Sequence, residues 1–141
     1  MDRKYEFTGE TMRYNSHTLR RIRRLSDGSL GGWIESEENL SHDGDCFVYD
    51  DAKIFGNAVV RDDATVCYRA IVCDDARIYG NARVGDHVIV CECALVCGHA
   101  WVYGDAMIGG HTLVQDSAEV GGNTKISGVS RIRGDSNIHG K

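Results

Sequence analysis

The 141-residue chain contains no proline at all. A backbone with every N–H donor available suits continuous ladders between neighbouring strands, and it excludes proline-rich linkers. No apolar run approaches the ~20 residues that a membrane-spanning helix needs. The start of the chain, Met1 to Tyr5, lacks the apolar core of a signal peptide. A soluble cytoplasmic protein, with no membrane partner, is the expectation. No Cys-x-x-Cys pair occurs among the cysteines at 46, 67, 73, 91, 93 and 97, so no structural metal is expected. Reduced thiols filling small surface slots fit a reducing compartment better. Positive charge is scarce beyond Leu30. The segment 1–30 holds seven Lys/Arg and four Asp/Glu, net +3, whereas the remainder holds nine and seventeen, net −8. So acidic a body argues against general nucleic-acid binding.

What the chain does have is a repeat. Stepping by six from Val48 reaches Ile54, Val60, Val66, Val72, Ile78, Val84, Val90, Val96, Val102, Ile108, Val114, Val120, Ile126, Ile132 and Ile138. Two positions before most of them stands a small residue, as at Ala52, Ala58, Ala64, Ala70, Ala76 and Ala82. Two positions after, Gly or Asp recurs, as at Gly56, Asp62, Asp74, Gly80 and Gly98. Residues two apart on a strand point the same way, so the small residue and the Val/Ile share one inward face. Gly, Asn and Asp supply the left-handed backbone angles of a sharp corner. A helix is excluded, because a period of six scatters the apolar residues around its surface. Three hexads close a triangle of about 18 residues, and such coils stack because none buries its apolar side alone. The fold class is therefore all-β, a single-stranded parallel β-helix of hexapeptide repeats. It should have about five coils, about 25 Å tall at ~4.8 Å per rung.

Residues 1–33 lack the period and read as a β-hairpin cap on a solenoid spanning 34–141. Strands are expected at Tyr5 to Thr11 and His17 to Leu25, with turns at Tyr14-Asn15-Ser16 and Ser26-Asp27-Gly28. A cap answers the unpaired edges of a solenoid end. Arg20, Arg21, Arg23 and Arg24 on the second strand form a candidate phosphate or acidic-partner site, or a solvated edge. Trp33 is expected to plug the top of the tube. Ile34 and Leu40 fall on the alanine phase of the repeat, so the first coil reads as irregular.

The run Gly31-Gly32-Trp33-Ile34-Glu35-Ser36-Glu37-Glu38-Asn39-Leu40-Ser41, then Gly44-Asp45-Cys46-Phe47-Val48-Tyr49-Asp50 and the hexads, resembles the YdcK-type β-solenoid family of bacteria and prophages. The likeness extends over about residues 17–141. It implies a β-solenoid, by custom left-handed in hexapeptide-repeat proteins, and an acyltransferase label that rests on fold analogy. It also implies a phage origin and, with it, an anti-defence role against the bacterial host.

With the inner positions committed, function has to use the outer skin. Ile71, Ile89 and Met107 form one apolar column and Val59, Leu95 and Leu113 another. Both are candidates for a homo-oligomer interface, as a trimer or, from the open last coil, an end-to-end stack. The third face carries Phe47, Thr65, Arg83, Trp101 and Glu119, alternating with Tyr49, Cys67, Gly85, Tyr103 and Gly121. Arg83, Trp101 and Tyr103 over glycine floors suggest a shelf for a planar anionic ligand such as a nucleotide derivative, or a further protein contact. His87, His99 and His111 lie at corners. An acyltransferase of this fold would use one as general base on a coenzyme A thioester. The three fall on different edges, however, and no loop interrupts the coils beyond Cys46. The expectation is a non-catalytic, homo-oligomeric binding module for a small anionic ligand or a host protein, with the acyltransferase as alternative.

Overall fold

A computed structural model describes residues 3–140. From Phe47 onward every Val or Ile of the repeat ends or lies within a short strand of two to four residues, such as Lys53–Ile54, Val59–Val60 and Arg83–Val84. Each strand pairs in register with the strand three places later in the chain. Arg83 pairs Trp101 and Val84 pairs Val102 in parallel, for example. Three sheets result and form the faces of a triangular tube. Face one contains Lys53–Ile54, Ile71–Val72, Ile89–Val90, Met107–Ile108 and Lys125–Ile126. Face two runs from Val59–Val60 to Arg131–Ile132, and face three from Phe47–Val48 to Asn137–Gly140.

The interior is as the period requires. Ala58, Ala70 and Ala82 alternate with Val60, Val72 and Val84 at zero exposure, within one continuous core that runs to Ile132. Each fully buried Val or Ile contributes about 1.5–3 kcal/mol of hydrophobic stabilisation, and the alanines keep the tube narrow. In the last coil the inward small residues carry hydroxyls. Those of Thr124, Ser130 and Ser136 donate to the carbonyls of Gly121, Ser127 and Arg133, so none is left without a partner.

The N-terminal hairpin is longer than expected. Strand β1 (Tyr5–Tyr14) pairs antiparallel with β2 (His17–Arg24) through a turn with Asn15 and Ser16 at positive φ. Strand β3 (Leu30–Ile34) pairs antiparallel with β2 and parallel with Lys53–Ile54, which makes the hairpin a continuation of face one. Tyr5 and Ile22 close the end of the core. Trp33 does not plug it. Ile34 takes the inward place, and Trp33, nine per cent exposed, lies outside against Leu19 and Phe55. The first coil is also more regular than its phase suggested. Ile34 pairs Ile54 and Leu40 bridges Val60, whereas Val48 already pairs Val66 at the ordinary spacing. The surplus is two positions, and it falls in the Ser41–Cys46 corner. Six rungs therefore stack where five were expected. The longer corner is held by His42, stacked on Tyr5 at 4.0 Å. Its Nδ1 accepts from the Lys4 N–H at 3.0 Å. The turn before it, Glu37–Asn39, is anchored by buried Asn39, whose Oδ1 accepts from Glu35 and Ser36 N–H and whose Nδ2 donates to Ala58 O at 2.8 Å.

Corners repeat a second device. The residue two past each core Val or Ile has positive φ: Asp50, Asp62, Asp74, Asp86, Glu92 and Asp116 among acids, with glycines such as Gly80 and Gly98 at others. At that angle its N–H turns out of the ladder and needs another acceptor. Where the coil above carries an acid, the carboxylate supplies it. Asp62 Oδ2 accepts from Gly80 N–H at 3.0 Å, Asp74 from Glu92 at 3.0 Å, Asp86 from Gly104 at 2.8 Å and Asp116 from Gly134 at 2.9 Å.

Candidate functional site

The shelf on face three is where the outer skin departs most from a solvated surface. In-register stacking sets Arg83 one rung above Trp101 and Glu119 one rung below it. Trp101 is 43 per cent exposed. Tyr103 supports it, with ring centroids 4.5 Å apart at 34°. The phenol can lean that way because Gly121 lies beneath it; a Cβ there would stand 2.2 Å from the Tyr103 ring. Leaning across Gly121, the Tyr103 hydroxyl reaches the His139 ring nitrogens at 2.9 Å. The platform is thus fixed from below. Beside it a recess of about 170 Å³ is lined by Asn81, Arg83, His99, Trp101 and Glu119. Arg83 makes no ion pair among the described residues, and it is exposed. The set offers a flat apolar ring, a cation, a carboxylate and an amide, which are the groups needed to hold a planar ring by its face and its edges.

Other expected residues fall elsewhere. Phe47 heads the face-three column but is fully buried, because Arg24 of the hairpin lies 4.3 Å over its ring. Cys97, expected outside, is only eight per cent exposed; its neighbour Tyr79 has its phenol pKa pushed up chiefly by their hydrogen bond. The four arginines do not converge. Arg20 stacks on Phe7, Arg21 donates to Gly31 O and covers Trp33, Arg23 faces Glu6 at 3.8 Å, and Arg24 reaches Tyr49 and Asp27. His87, His99 and His111 are exposed on three separate corners. His87 lies in a recess of about 510 Å³, with Asp50, Asp86, Asp105, Tyr68 and Arg69. His99 borders the shelf, and His111 a recess with Leu113 and Arg131. Ile71 already packs against the hairpin cluster of Leu19, Trp33 and Phe55. Ile89, Val59, Leu95 and Leu113 are half-buried and Met107 is 38 per cent exposed. Arg77 interrupts the second column between Val59 and Leu95. Among the described residues no three His, Cys, Asp or Glu side chains gather to hold a metal ion, and no helix is long and apolar enough to cross a membrane.

Two members of the shelf escaped the sequence reading, Asn81 and His139. Both were within reach of the same arithmetic. His139 lies two coils below Tyr103 in the same column, and the position between them is Gly121. An aromatic, a glycine and a histidine at that spacing signal a side chain bridging two rungs.

An uninterrupted tube of hexapeptide coils with a β-hairpin cap and one aromatic shelf defines the class: a hexapeptide-repeat β-solenoid. Residues 76–92 match the YdcK beta solenoid repeat family. That match and the solenoid agree with the resemblance carried by the Gly31-Gly32-Trp33 lead-in. No curated protein matches the chain.

Proposed function

We propose that this protein is a non-catalytic binding module whose face-three shelf takes a small, planar, anionic ligand of nucleotide-derived type, and that faces one and two pack against further copies of the chain. The observation that carries the reading is Trp101. An exposed tryptophan packed on Tyr103, itself tied to His139, and set between Arg83 and Glu119 is a stacking platform with its polar partners in place. A structural tryptophan would be buried, as Trp33 is. Ile89 and Met107 on face one and Leu95 and Leu113 on face two, the apolar parts of those faces that the hairpin and Arg77 leave uncovered, support self-association, which leaves the shelf open. The family resemblance supports a phage setting in which such a module sequesters a host signalling ligand.

A titration of nucleotides and other planar anions, read by tryptophan fluorescence and melting temperature, tests it. Quenching and a raised melting temperature, both lost in Trp101→Ala and weakened in Arg83→Ala, are expected. A response that survives Trp101→Ala would refute the shelf. The competing acyltransferase reading draws on His87 in its recess. It predicts turnover of acetyl-coenzyme A that disappears in His87→Ala, and no turnover is expected here.

A further inference from the structure

The corner that leads from face two into face three leaves N–H groups open beside the shelf. Along that column stand Asp62, Gly80, Gly98, Asp116 and Gly134, all at positive φ. Asp62 caps the N–H of Gly80, and Asp116 caps that of Gly134. Between them Gly80 and Gly98 have no side chain to offer, so the N–H groups of Gly98 and Asp116 have no acceptor among the described residues. Two successive uncapped rungs occur on this corner, directly before the strand Trp101–Val102 and next to His99. Elsewhere on the tube an uncapped N–H belongs to a residue with its own carboxylate, as at Asp74 and Asp86, or to a glycine far from an aromatic platform, as at Gly128. Gly122, below Gly104, lies within the strand Glu119–Gly122. At Gly98 none of these applies. The neighbouring Asp116 carboxylate is already turned down to Gly134.

We infer that this corner is a phosphate subsite, and that the shelf takes a nucleoside monophosphate with its base on Trp101. The inference rests on the shelf reading above. Seven corners of this chain show that an αL N–H takes an acidic oxygen at 2.6–3.0 Å from the coil above. At Gly98 a phosphate oxygen takes that oxygen's place, over the bare Cα of Gly80. His99, next in the chain to Gly98, and Arg83 both line the recess beside Trp101 and offer donors on that side of the corner. Gly98 and Trp101 are three positions apart around one corner, a span of less than about 10 Å, which suits a phosphate and a base joined by a ribose. At the far edge of the ring, Glu119 accepts from an exocyclic amine, which favours an amino-substituted base such as adenine.

The test uses AMP, adenosine and inorganic phosphate as probes, by calorimetry on the full chain, with three variants. Gly80→Asp restores the missing cap. Aspartate already occupies this angle at Asp62 and Asp116, although its Cβ would stand 2.9 Å from Gly98 N and needs the coil to give slightly. Wild type is expected to bind AMP at least tenfold tighter than adenosine. In Gly80→Asp that preference collapses while adenosine binds as before, and in Trp101→Ala both weaken together. Should Gly80→Asp melt early, Arg83→Ala, an exposed change, is read for the same loss of preference. AMP and adenosine binding equally, or a preference untouched by both Gly80→Asp and Arg83→Ala, would overturn the phosphate subsite. In that case binding that still depends on Trp101 would leave the shelf reading standing, and no planar ligand depending on Trp101 would end both.

Discussion

Asp74 isolates the corner device. It sits at φ 59, and its Oδ2 accepts from Glu92 N–H at 3.0 Å. Two separable quantities are at stake. A hydrogen bond at an exposed corner is worth about 1 kcal/mol net. Holding a Cβ-bearing residue other than Asp or Asn in the left-handed region costs about a further 1 kcal/mol. Asp74→Ala loses both and should be less stable by about 2 kcal/mol, or about 6 °C in melting temperature for a chain of this size. Asp74→Gly loses the cap but relieves the angle; Gly56 occupies the rung above in that conformation, so a loss of about 1 kcal/mol is expected. Asp74→Asn keeps the angle and a weaker, uncharged carbonyl acceptor, for a loss of about 0.5 kcal/mol. Urea unfolding of the four proteins, with hydrogen exchange at the Glu92 amide, gives the order Asp, Asn, Gly, Ala. Glycine as harmful as alanine would remove the strain argument. Asparagine as harmful as alanine would remove the device altogether, as would an unchanged Glu92 exchange rate in Asp74→Ala.

Further outcomes follow from the cap and the thiols. Gly32→Ala places a Cβ 2.6 Å from Ala52 O and 2.7 Å from Val48 Cγ1, so overpacking should lower stability by about 1–3 kcal/mol in denaturant titration, whereas Gly128→Ala meets no atom and loses only what its positive φ imposes. Burial, helped by the charge of Asp74 and by Cys91, pushes the Cys73 thiol up to about 12. At pH 8 it should alkylate far more slowly than exposed Cys93, and comparable rates by mass spectrometry would contradict this placement. Glu35 and Glu37 have their carboxyls held below the usual range, chiefly by hydrogen bonds to His17 and His42. A folded carboxyl depressed in this way contributes stability that is present above its unfolded value and lost as pH falls through its folded one. The hairpin should therefore loosen in acid below about pH 4 while the solenoid persists, seen as faster hydrogen exchange confined to Tyr5–Ile34. Uniform exchange along the chain would refute it.

The tube itself was legible because one physical requirement, an inward Val or Ile at every sixth place, recurs sixteen times without a slip. Register, columns and the Arg83–Trp101–Glu119 ladder all follow from multiples of that period. What escaped was whatever broke the count. The surplus between Ser41 and Cys46 shifts Ile34 and Leu40 into the valine phase, and nothing local in that polar corner distinguishes an insertion from a poor coil. Trp33 and Phe47 went astray for a different reason. Each lies where the hairpin folds back, so its burial depends on the path of β2, which carries no period. The arginines of β2 read as a cluster in sequence, yet alternation and the register shift between Arg21 and Arg23 spread them over both sides of the strand.

The corner pattern then separates architecture from function in a way the core cannot. Every coil needs its inward residues, so those positions carry no information about a ligand. Corners are free to be Asp or Gly, since both accept the left-handed angle, but they differ in what they leave behind. Aspartate closes the N–H of the coil below and finishes the surface, while glycine leaves it open. Asp in place of such a glycine would add the cap, but its Cβ would press on the coil below, at 2.9 Å from Gly98 N for Gly80 and 2.7 Å from Asp116 N for Gly98. Two glycines in succession at 80 and 98, on the corner that leads into the strand of an exposed tryptophan, leave an N–H open to the ligand oxygen proposed above. Gly80→Asp should accordingly remove the AMP preference, its new cap offsetting part of the cost of the 2.9 Å approach to Gly98 N. A variant that instead loses stability and keeps AMP would show that those glycines serve the close approach of coils and nothing more.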